Sequence, residues 1–102
     1  MIKIVTKDEA RKYLSDSPSE QCFWVNNGPV VKNLEELTSV LPQLSEDAFG
    51  HHVNKEKNDF SNWIKDIIGD KKLANDLLSS KTKESALKKL KDRLSSLKKK
   101  AA

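Results

Sequence analysis

The chain has 102 residues, of which 33% are charged and 36% are apolar. These fractions predict one polar globular domain with a modest core, and the presence of only three glycines and three prolines excludes a loop-rich or collagenous chain. The net charge of +4 is uneven: residues 81–102 carry nine Lys or Arg and two acidic residues (+7), whereas residues 1–80 carry ten and thirteen (−3). Such an asymmetry is typical of a protein with an anionic partner, often nucleic acid, but a solvated helix face explains it equally well.

The compartment can be predicted from two features. Cys22 is the only cysteine, so no internal disulfide can form, which is typical of a reducing environment. The stretch "MIKIVTKDEARKYL" has no apolar core of signal-peptide length, and no apolar run reaches the roughly 18 residues that a transmembrane helix needs. We therefore expect a cytoplasmic protein with no membrane partner and no cofactor.

A first helix is predicted directly after Thr6. Thr6 and Glu9 have the spacing of a capping box, and Val5 and Ala10 stand where a hydrophobic staple would have its ends. The stretch "SDSPSE", residues 15–20, ends the helix.

A small β-hairpin follows near residues 21–32, with strands expected at residues 21–25 and 29–32. Asn27 and Gly28 between them are residue types that tolerate a positive φ, as tight hairpin turns require. Pro29 cannot donate a ladder hydrogen bond, so its strand should be short or at an edge. Because an isolated hairpin is marginally stable, this one must lie on helices.

The second and third helices are predicted from their capping residues. Asn33 caps the second helix, Glu36 stands at the capping-box position, and Pro42 ends the helix nearby. Ser45 caps the third. The expected apolar faces are Leu34, Leu37 and Leu41 on the second helix, and Ala48, Phe49, His52 and Val53 on the third.

The fourth helix, capped by Asp59 or Asn58, carries the most apolar face and should form the centre of the core. Gly69 ends this helix and Asp70 caps the fifth. The apolar positions are Phe60, Trp63, Ile64, Ile67 and Ile68 on the fourth helix, and Leu73, Ala74, Leu77 and Leu78 on the fifth. Phe23 or Trp24 should pack against the fourth helix.

The last helix is predicted after Thr82. Its leucines at 87, 90, 94 and 97 are spaced like the a and d positions of a coiled coil. This seam either packs back on Ile68, Leu73 and Leu77 or pairs with another helix. We expect a mostly helical α+β fold, a bundle of five or six short helices with one hairpin. Residues 1–80 would form the globular part, and residues 81–102 a basic amphipathic helix packed on it with a frayed end.

The stretches "FWVNNGPVVKNLEEL", "HHVNKEKNDFSNWIKDIIGD" and "LANDL" within residues 23–78 resemble a family of small, mostly archaeal domains of unknown function. The family pattern has an aromatic pair before a glycine turn, then NLEEL, HVN-x-x-KNDF-x-x-WI and GD-x-x-LA. The resemblance implies an archaeal-type cytosolic protein and implies no activity. The matching residues are Phe23, Trp24, Gly28, Asn33, Leu34, Glu36, Leu37, Phe49, His52, Val53, Asn54, Lys57, Asn58, Asp59, Phe60, Trp63, Ile64, Gly69, Asp70, Leu73 and Ala74.

His52, Asn54 and Asp59 form a candidate polar site for a partner's backbone or a small polar ligand. The simpler interpretation is a joint between two helices, since Asn and Asp satisfy exposed N–H groups at helix starts and tolerate left-handed backbone at helix ends. His51 and His52 would point about 100° apart on a helix, so they do not form a metal-binding pair and we expect no metal. His52 should be half-buried and bonded to a backbone carbonyl.

Catalysis is not expected. Cys22 lies in a predicted strand beside Phe23, which is typical of a small buried apolar residue rather than a nucleophile. The chain has no phosphate-binding loop, no Gly-x-Ser-x-Gly and no carboxylate pair with a reason to differ in pKa.

Two binding functions therefore stay open. In the first, the basic last helix contacts the phosphates of DNA or RNA, without aromatic residues of its own to stack on bases. In the second, the leucine seam from Leu87 to Leu97 pairs with a protein partner or with a second copy. The basic residues of the first hypothesis are Lys81, Lys83, Lys88, Lys89, Lys91, Arg93, Lys98, Lys99 and Lys100.

Overall fold

A computed structural model describes residues 5–26 and 28–102. Within these ranges the chain forms six α-helices and one antiparallel pair of strands, which confirms the predicted helical α+β fold. The helices are α1 (Lys7–Leu14), α2 (Leu34–Val40), α3 (Glu46–His52), α4 (Asp59–Trp63), α5 (Lys71–Leu78) and α6 (Lys83–Ala101), and the strands are β1 (Phe23–Trp24) and β2 (Val30–Val31). None of the described helices combines the length and the apolar character that crossing a bilayer requires.

The helices begin where their capping residues predict. Thr6 and Glu9 form the complete capping box, with two hydrogen bonds of 3.1 Å. At α2 the box is displaced by one residue, because Glu36 accepts from the backbone N–H of Lys32 and not from that of Asn33. The residues whose side chains accept a backbone N–H bond at the starts of α2 to α6 are Asn33, Ser45, Asn58, Asp70 and Thr82.

The hairpin is confirmed but shorter than predicted. Phe23 pairs with Val31 and Trp24 with Val30, so each strand has two residues. Gln21 was expected in the first strand; it belongs instead to a 3₁₀ turn at Ser19–Gln21. Phe23 and Val31 face the core, whereas Trp24 and Val30 face solvent, as the alternation of side chains along a strand requires.

Gly28 of the hairpin turn stands at a crowded position. Asn27 lies outside the described residues. A Cβ at Gly28 would lie 2.9 Å from Cγ1 of Val25, so a larger residue does not fit here unless that side chain moves.

The apolar residues predicted on the fourth helix are buried at Phe60, Trp63 and Ile64. The ring of Phe23 stacks on that of Phe60 at 5.0 Å and meets the edge of Trp63 at 5.8 Å. The indole Nε1 of Trp63 donates a 2.8 Å hydrogen bond to the carbonyl of Gln21, just before β1. Leu78 of α5 was expected on the apolar face but is 50% exposed.

The continuation of α4 was expected to be regular but is a π-helical segment at Ile64–Ile68. The backbone N–H of Gly69 donates to the carbonyl of Ile64, five residues back, at 2.7 Å. Because a π-turn takes more residues than an α-turn, Ile68 is buried and Ile67 only partly buried. Gly69 then ends the helix in the left-handed conformation, as predicted.

The leucine seam of α6 packs back onto the same core. Leu90, Leu94 and Leu97 are buried and Leu87 is partly buried. The helix lies mainly against α1, and also against α2 and α5, so it has more neighbours than the predicted contact with α5. It extends to Ala101.

Candidate functional site

His52 is held by two hydrogen bonds at the joint between α3 and α4. Its Nε2 accepts from the backbone N–H of Asn26 at 2.9 Å, and its Nδ1 lies 3.0 Å from Oδ2 of Asp59. A backbone N–H can only donate, so Nε2 carries no proton and Nδ1 donates to Asp59. The expectation of a half-buried His52 bonded to a carbonyl is wrong: the residue is 4% exposed and bonds to an N–H and a carboxylate. Neither ring nitrogen is available to a ligand.

Asp59 accepts hydrogen bonds from the imidazole of His52 and the ammonium of Lys57. Besides His52, the Nζ of Lys57 lies 2.9 Å from the same oxygen. Partial burial raises the pKa of the Asp59 carboxyl, but the hydrogen bonds from His52 and Lys57 and the charge of Lys57 outweigh that effect. The pKa of Asp59 is therefore held below its ordinary value of 3.8.

Asn54 does not join this pair. Its side chain accepts from the backbone N–H of Glu56 at 3.0 Å and donates to the carbonyl of Gly50 at 3.4 Å, so it closes the turn after α3. Asn58 caps α4 and also donates to the carbonyl of Leu77 at 3.0 Å, a contact that sequence spacing cannot reveal. In the described ranges no cluster of His, Cys, Asp or Glu is arranged to hold a metal ion. The arrangement of the stretch therefore matches a joint between helices.

The structure divides the nine basic residues of the last segment into three groups. Six are exposed: Lys81, Lys88, Lys91, Lys98, Lys99 and Lys100. Lys89 is half-buried. The remaining two face the domain: Lys83 binds the carbonyl of Leu44 and the carboxylate of Glu46, and Arg93 binds Asp70. The six exposed lysines are called the basic face below.

Arg93 and Asp70 form a two-point ion pair that residue spacing does not reveal. The Nε and Nη2 atoms of Arg93 lie 2.7 and 2.8 Å from the two carboxylate oxygens of Asp70. Asp70 is 1% exposed and also accepts from the N–H of Leu73 as the cap of α5. The guanidinium of Arg93 is thus used to join α5 to α6.

The lysines of α6 lie on lines along the helix. At about 100° per residue, Lys88 and Lys99 share one line opposite the buried leucines, and Lys91 and Lys98 share a second line at one flank. Lys88 pairs with Asp92 at 3.1 Å and Lys98 with Glu35 at 2.6 Å. All four of these side chains are more than half exposed, and exposed pairs contribute little stability, so phosphates can replace the carboxylates.

A groove runs between α5 and the other flank of α6, called the α5–α6 groove below. It consists of two cavities of about 420 and 330 Å³, and Lys72 and Arg93 border both. The other residues of the larger cavity are Val5, Tyr13, Gly69, Asp70 and Lys71. Those of the smaller cavity are Asp76, Lys89, Asp92 and Ser96.

Trp24 and Val30 form an exposed apolar surface, called the hairpin patch below. Trp24 is 75% and Val30 45% exposed, although tryptophan is among the most costly side chains to leave in water. Beside them lies a cavity of about 300 Å³ whose walls include Glu35 and Glu36. Sequence patterning expected only one of the two hairpin aromatics in the core and could not say which.

These features define a small helical domain with a hairpin bound over its core and lysines along its last helix. Residues 18–99 match the profile of DUF5752, a family of unknown function. The match covers most of the chain, and the chain belongs to this family, which confirms the predicted membership of a family of unknown function. Neither the comparison with curated proteins nor that with solved structures gave a match.

Proposed function

We propose that this protein is a non-enzymatic module that binds nucleic acid by placing the basic face against phosphates. One observation carries the proposal: the leucines of α6 pack into the core, while six lysines of the same segment are exposed to solvent. Lys83 and Arg93 do not belong to the binding surface, because both are committed to contacts within the domain.

The spacing of the lysines suits a backbone contact. Lys88 and Lys99 lie about 16 Å apart along the helix axis, since each residue advances about 1.5 Å. Lysine carries a compact charge on a flexible stem and can adapt to phosphates at several spacings. Such contacts give affinity without reading sequence. The expected partner is therefore a nucleic acid of any sequence.

The test replaces charge and leaves the core untouched. Lys88→Gln/Lys91→Gln/Lys99→Gln removes three charges from exposed positions. The control Lys32→Gln/Lys55→Gln/Lys65→Gln removes three from exposed positions elsewhere. For wild type, the logarithm of the association constant should fall linearly with the logarithm of the salt concentration. The slope should be about −0.9 for each phosphate contacted on duplex DNA. The first variant should reduce the slope by roughly 2 to 3 and the control by much less. Absence of binding by wild type at low salt would overturn the proposal.

The non-enzymatic part of the proposal is supported by how the reactive side chains are used. Both ring nitrogens of His52 are occupied. The sulfur of Cys22 lies within 3.5 Å of the Ser17 hydroxyl and the Pro18 carbonyl, and neither of these two groups is a base that could activate the thiol. A lone thiol of this kind is compatible with the reducing cytoplasm, which we propose as the location.

A second candidate function, contact with a protein, is favoured by the hairpin patch and not by the leucine seam. The seam is buried in the domain, whereas Trp24 is exposed, and tryptophan is enriched at the centres of protein interfaces. The neighbouring Glu35 and Glu36 disfavour a phosphate partner at this surface. Measuring the molar mass by light scattering over a range of protein concentrations tests whether the hairpin patch mediates self-association. A dimer that is insensitive to salt and is abolished by Trp24→Ser supports this function. A monomer at every concentration contradicts it.

A further inference from the structure

The α5–α6 groove offers an aromatic side chain that the basic face lacks. Tyr13, brought over by α1, and Val5 border the larger cavity. A Cβ placed on Gly69 would lie 3.7 Å from Cε1 of Tyr13, so the ring stands directly beside the glycine backbone. A volume of about 420 Å³ falls within the range of small-molecule sites.

The rim of this cavity is positively charged. Lys71 stands at it and forms no ion pair with any residue that the structure describes. The Nζ of Lys12 is near as well, 3.8 Å from the Cβ that Gly69 lacks. Lys72 shares its charge with Asp76 in an exposed pair, and Arg93 is neutralised by Asp70. Asp70, the carboxylate that borders the larger cavity, is thus already balanced by Arg93, and the lysines at the rim carry the excess positive charge.

We infer that the larger cavity receives one nucleotide of a single strand, with the base against Tyr13 and the phosphate between Lys12 and Lys71. An aromatic wall with a cationic rim matches a ligand that has a flat, weakly polar body and one anionic group. A base in a duplex is paired and stacked, so only a single strand can present it to a cavity. The inference deepens the proposed function and rests on it for the class of partner.

The position of the cavity connects it to the basic face. The adjoining smaller cavity is bordered by Lys89 of α6, so the groove continues along the flank of that helix. A strand with one nucleotide at Tyr13 can follow the groove past Lys72 and Lys89 toward the exposed lysines. The basic face then supplies affinity, and the cavity supplies the preference for unpaired bases.

The test compares a fluorescent oligothymidylate with a duplex of equal length. Wild type should prefer the single strand. Tyr13→Leu should weaken single-strand binding roughly five- to one-hundredfold, the size expected for a lost base–aromatic contact, and leave duplex binding unchanged. Tyr13→Phe keeps the ring and should bind like wild type.

A second variant avoids any effect of Tyr13 on folding. Lys71→Gln/Lys72→Gln changes two exposed side chains, one of them in an (i, i+4) ion pair. Lys32→Gln/Lys55→Gln is the matched control, because Lys32 also has an (i, i+4) partner and both side chains are exposed. The first variant should lose more single-strand affinity than the control.

Thymidine monophosphate, followed by amide NMR, separates the two possible failures. It should shift the amides of Tyr13, Gly69 and Lys71 in wild type and not in Tyr13→Leu. Equal binding of strand and duplex, with both cavity variants like wild type, overturns the inference and leaves the proposed function standing. Amide shifts without any oligonucleotide binding overturn the proposed function and keep the nucleotide site. No response to either probe overturns both.

Discussion

The guanidinium of Arg93 in α6 donates hydrogen bonds of 2.7 and 2.8 Å to both carboxylate oxygens of Asp70, the residue that caps α5. The carboxylate therefore has two uses at once: it starts one helix and fastens it to the next. Because Asp70 is almost completely buried, loss of Arg93 would leave a buried carboxylate without an ion-pair partner.

Removing Arg93 should destabilise the domain strongly. Arg93→Leu leaves the buried carboxylate of Asp70 without a counter-charge, and breaking such a pair typically costs about 3–5 kcal/mol. Urea denaturation of Arg93→Leu and of the control Lys91→Leu, at an exposed position of the same helix, measures the difference. A loss no larger than that of the control would show that the pair contributes little to stability.

Two tryptophans allow a direct comparison of buried and exposed positions. Trp63→Ala should cost about 3–5 kcal/mol, because the indole packs on Phe23 and donates to the carbonyl of Gln21. Trp24→Ala should change stability by about 0.5 kcal/mol or less, since the side chain is 75% exposed. Thermal melts of both variants decide the matter. Similar melting temperatures for the two would mean that the core is centred elsewhere.

Asn58 should matter more than an ordinary cap. Asn58→Ala removes the cap of α4, worth about 0.5–2 kcal/mol, and also the buried hydrogen bond to the carbonyl of Leu77, worth about 0.5–1.5 kcal/mol because the N–H of Ser80 still donates to that carbonyl. Thr82→Ala removes only an exposed cap, that of α6. Denaturation midpoints should place Asn58→Ala clearly below Thr82→Ala, and equal midpoints would argue against the second bond.

Acid should weaken the joint through Asp59. Its pKa is lower in the folded chain than the ordinary 3.8, so its contribution to stability is complete above that value. The contribution is lost as the pH falls below 3.8 and through the lowered pKa. Asp59→Asn should therefore flatten this part of the curve of unfolding free energy against pH, while stability near neutral pH falls. If the unfolding free energy of Asp59→Asn fell with acid as steeply as that of wild type, another carboxyl would be responsible for the pH dependence.

The fold was predictable where the determining contacts are local. Thr6, Asn33, Ser45, Asp70 and Thr82 act on backbone groups three residues away, so their spacing is visible in the sequence. The end of the π-helical segment at Gly69 was visible for the same reason. The winding itself was not, because α- and π-turns present similar apolar patterns over a few residues.

The candidate sites were less predictable because their contacts are distant in sequence. The sequence predicted Arg93 as one of the phosphate-binding residues. Its guanidinium instead binds Asp70, 23 residues away in sequence, so it is not part of the basic face. The partner of His52 is a backbone N–H 26 residues away, at Asn26, which no residue-type pattern indicates. Tyr13 joins the groove of α5 and α6 only through the packing of α1 on α6.

The short first strand is fixed at both of its ends by side chains from the helices. Before it, the carbonyl of Gln21 receives the indole of Trp63; after it, the N–H of Asn26 is bound by the imidazole of His52. The hairpin therefore cannot detach as a local opening while α3 and α4 stay folded. Its amide protons, including that of Asn26, should exchange with solvent at the slow rate of the whole domain, so this small sheet belongs to the same cooperative unfolding unit as the helical core.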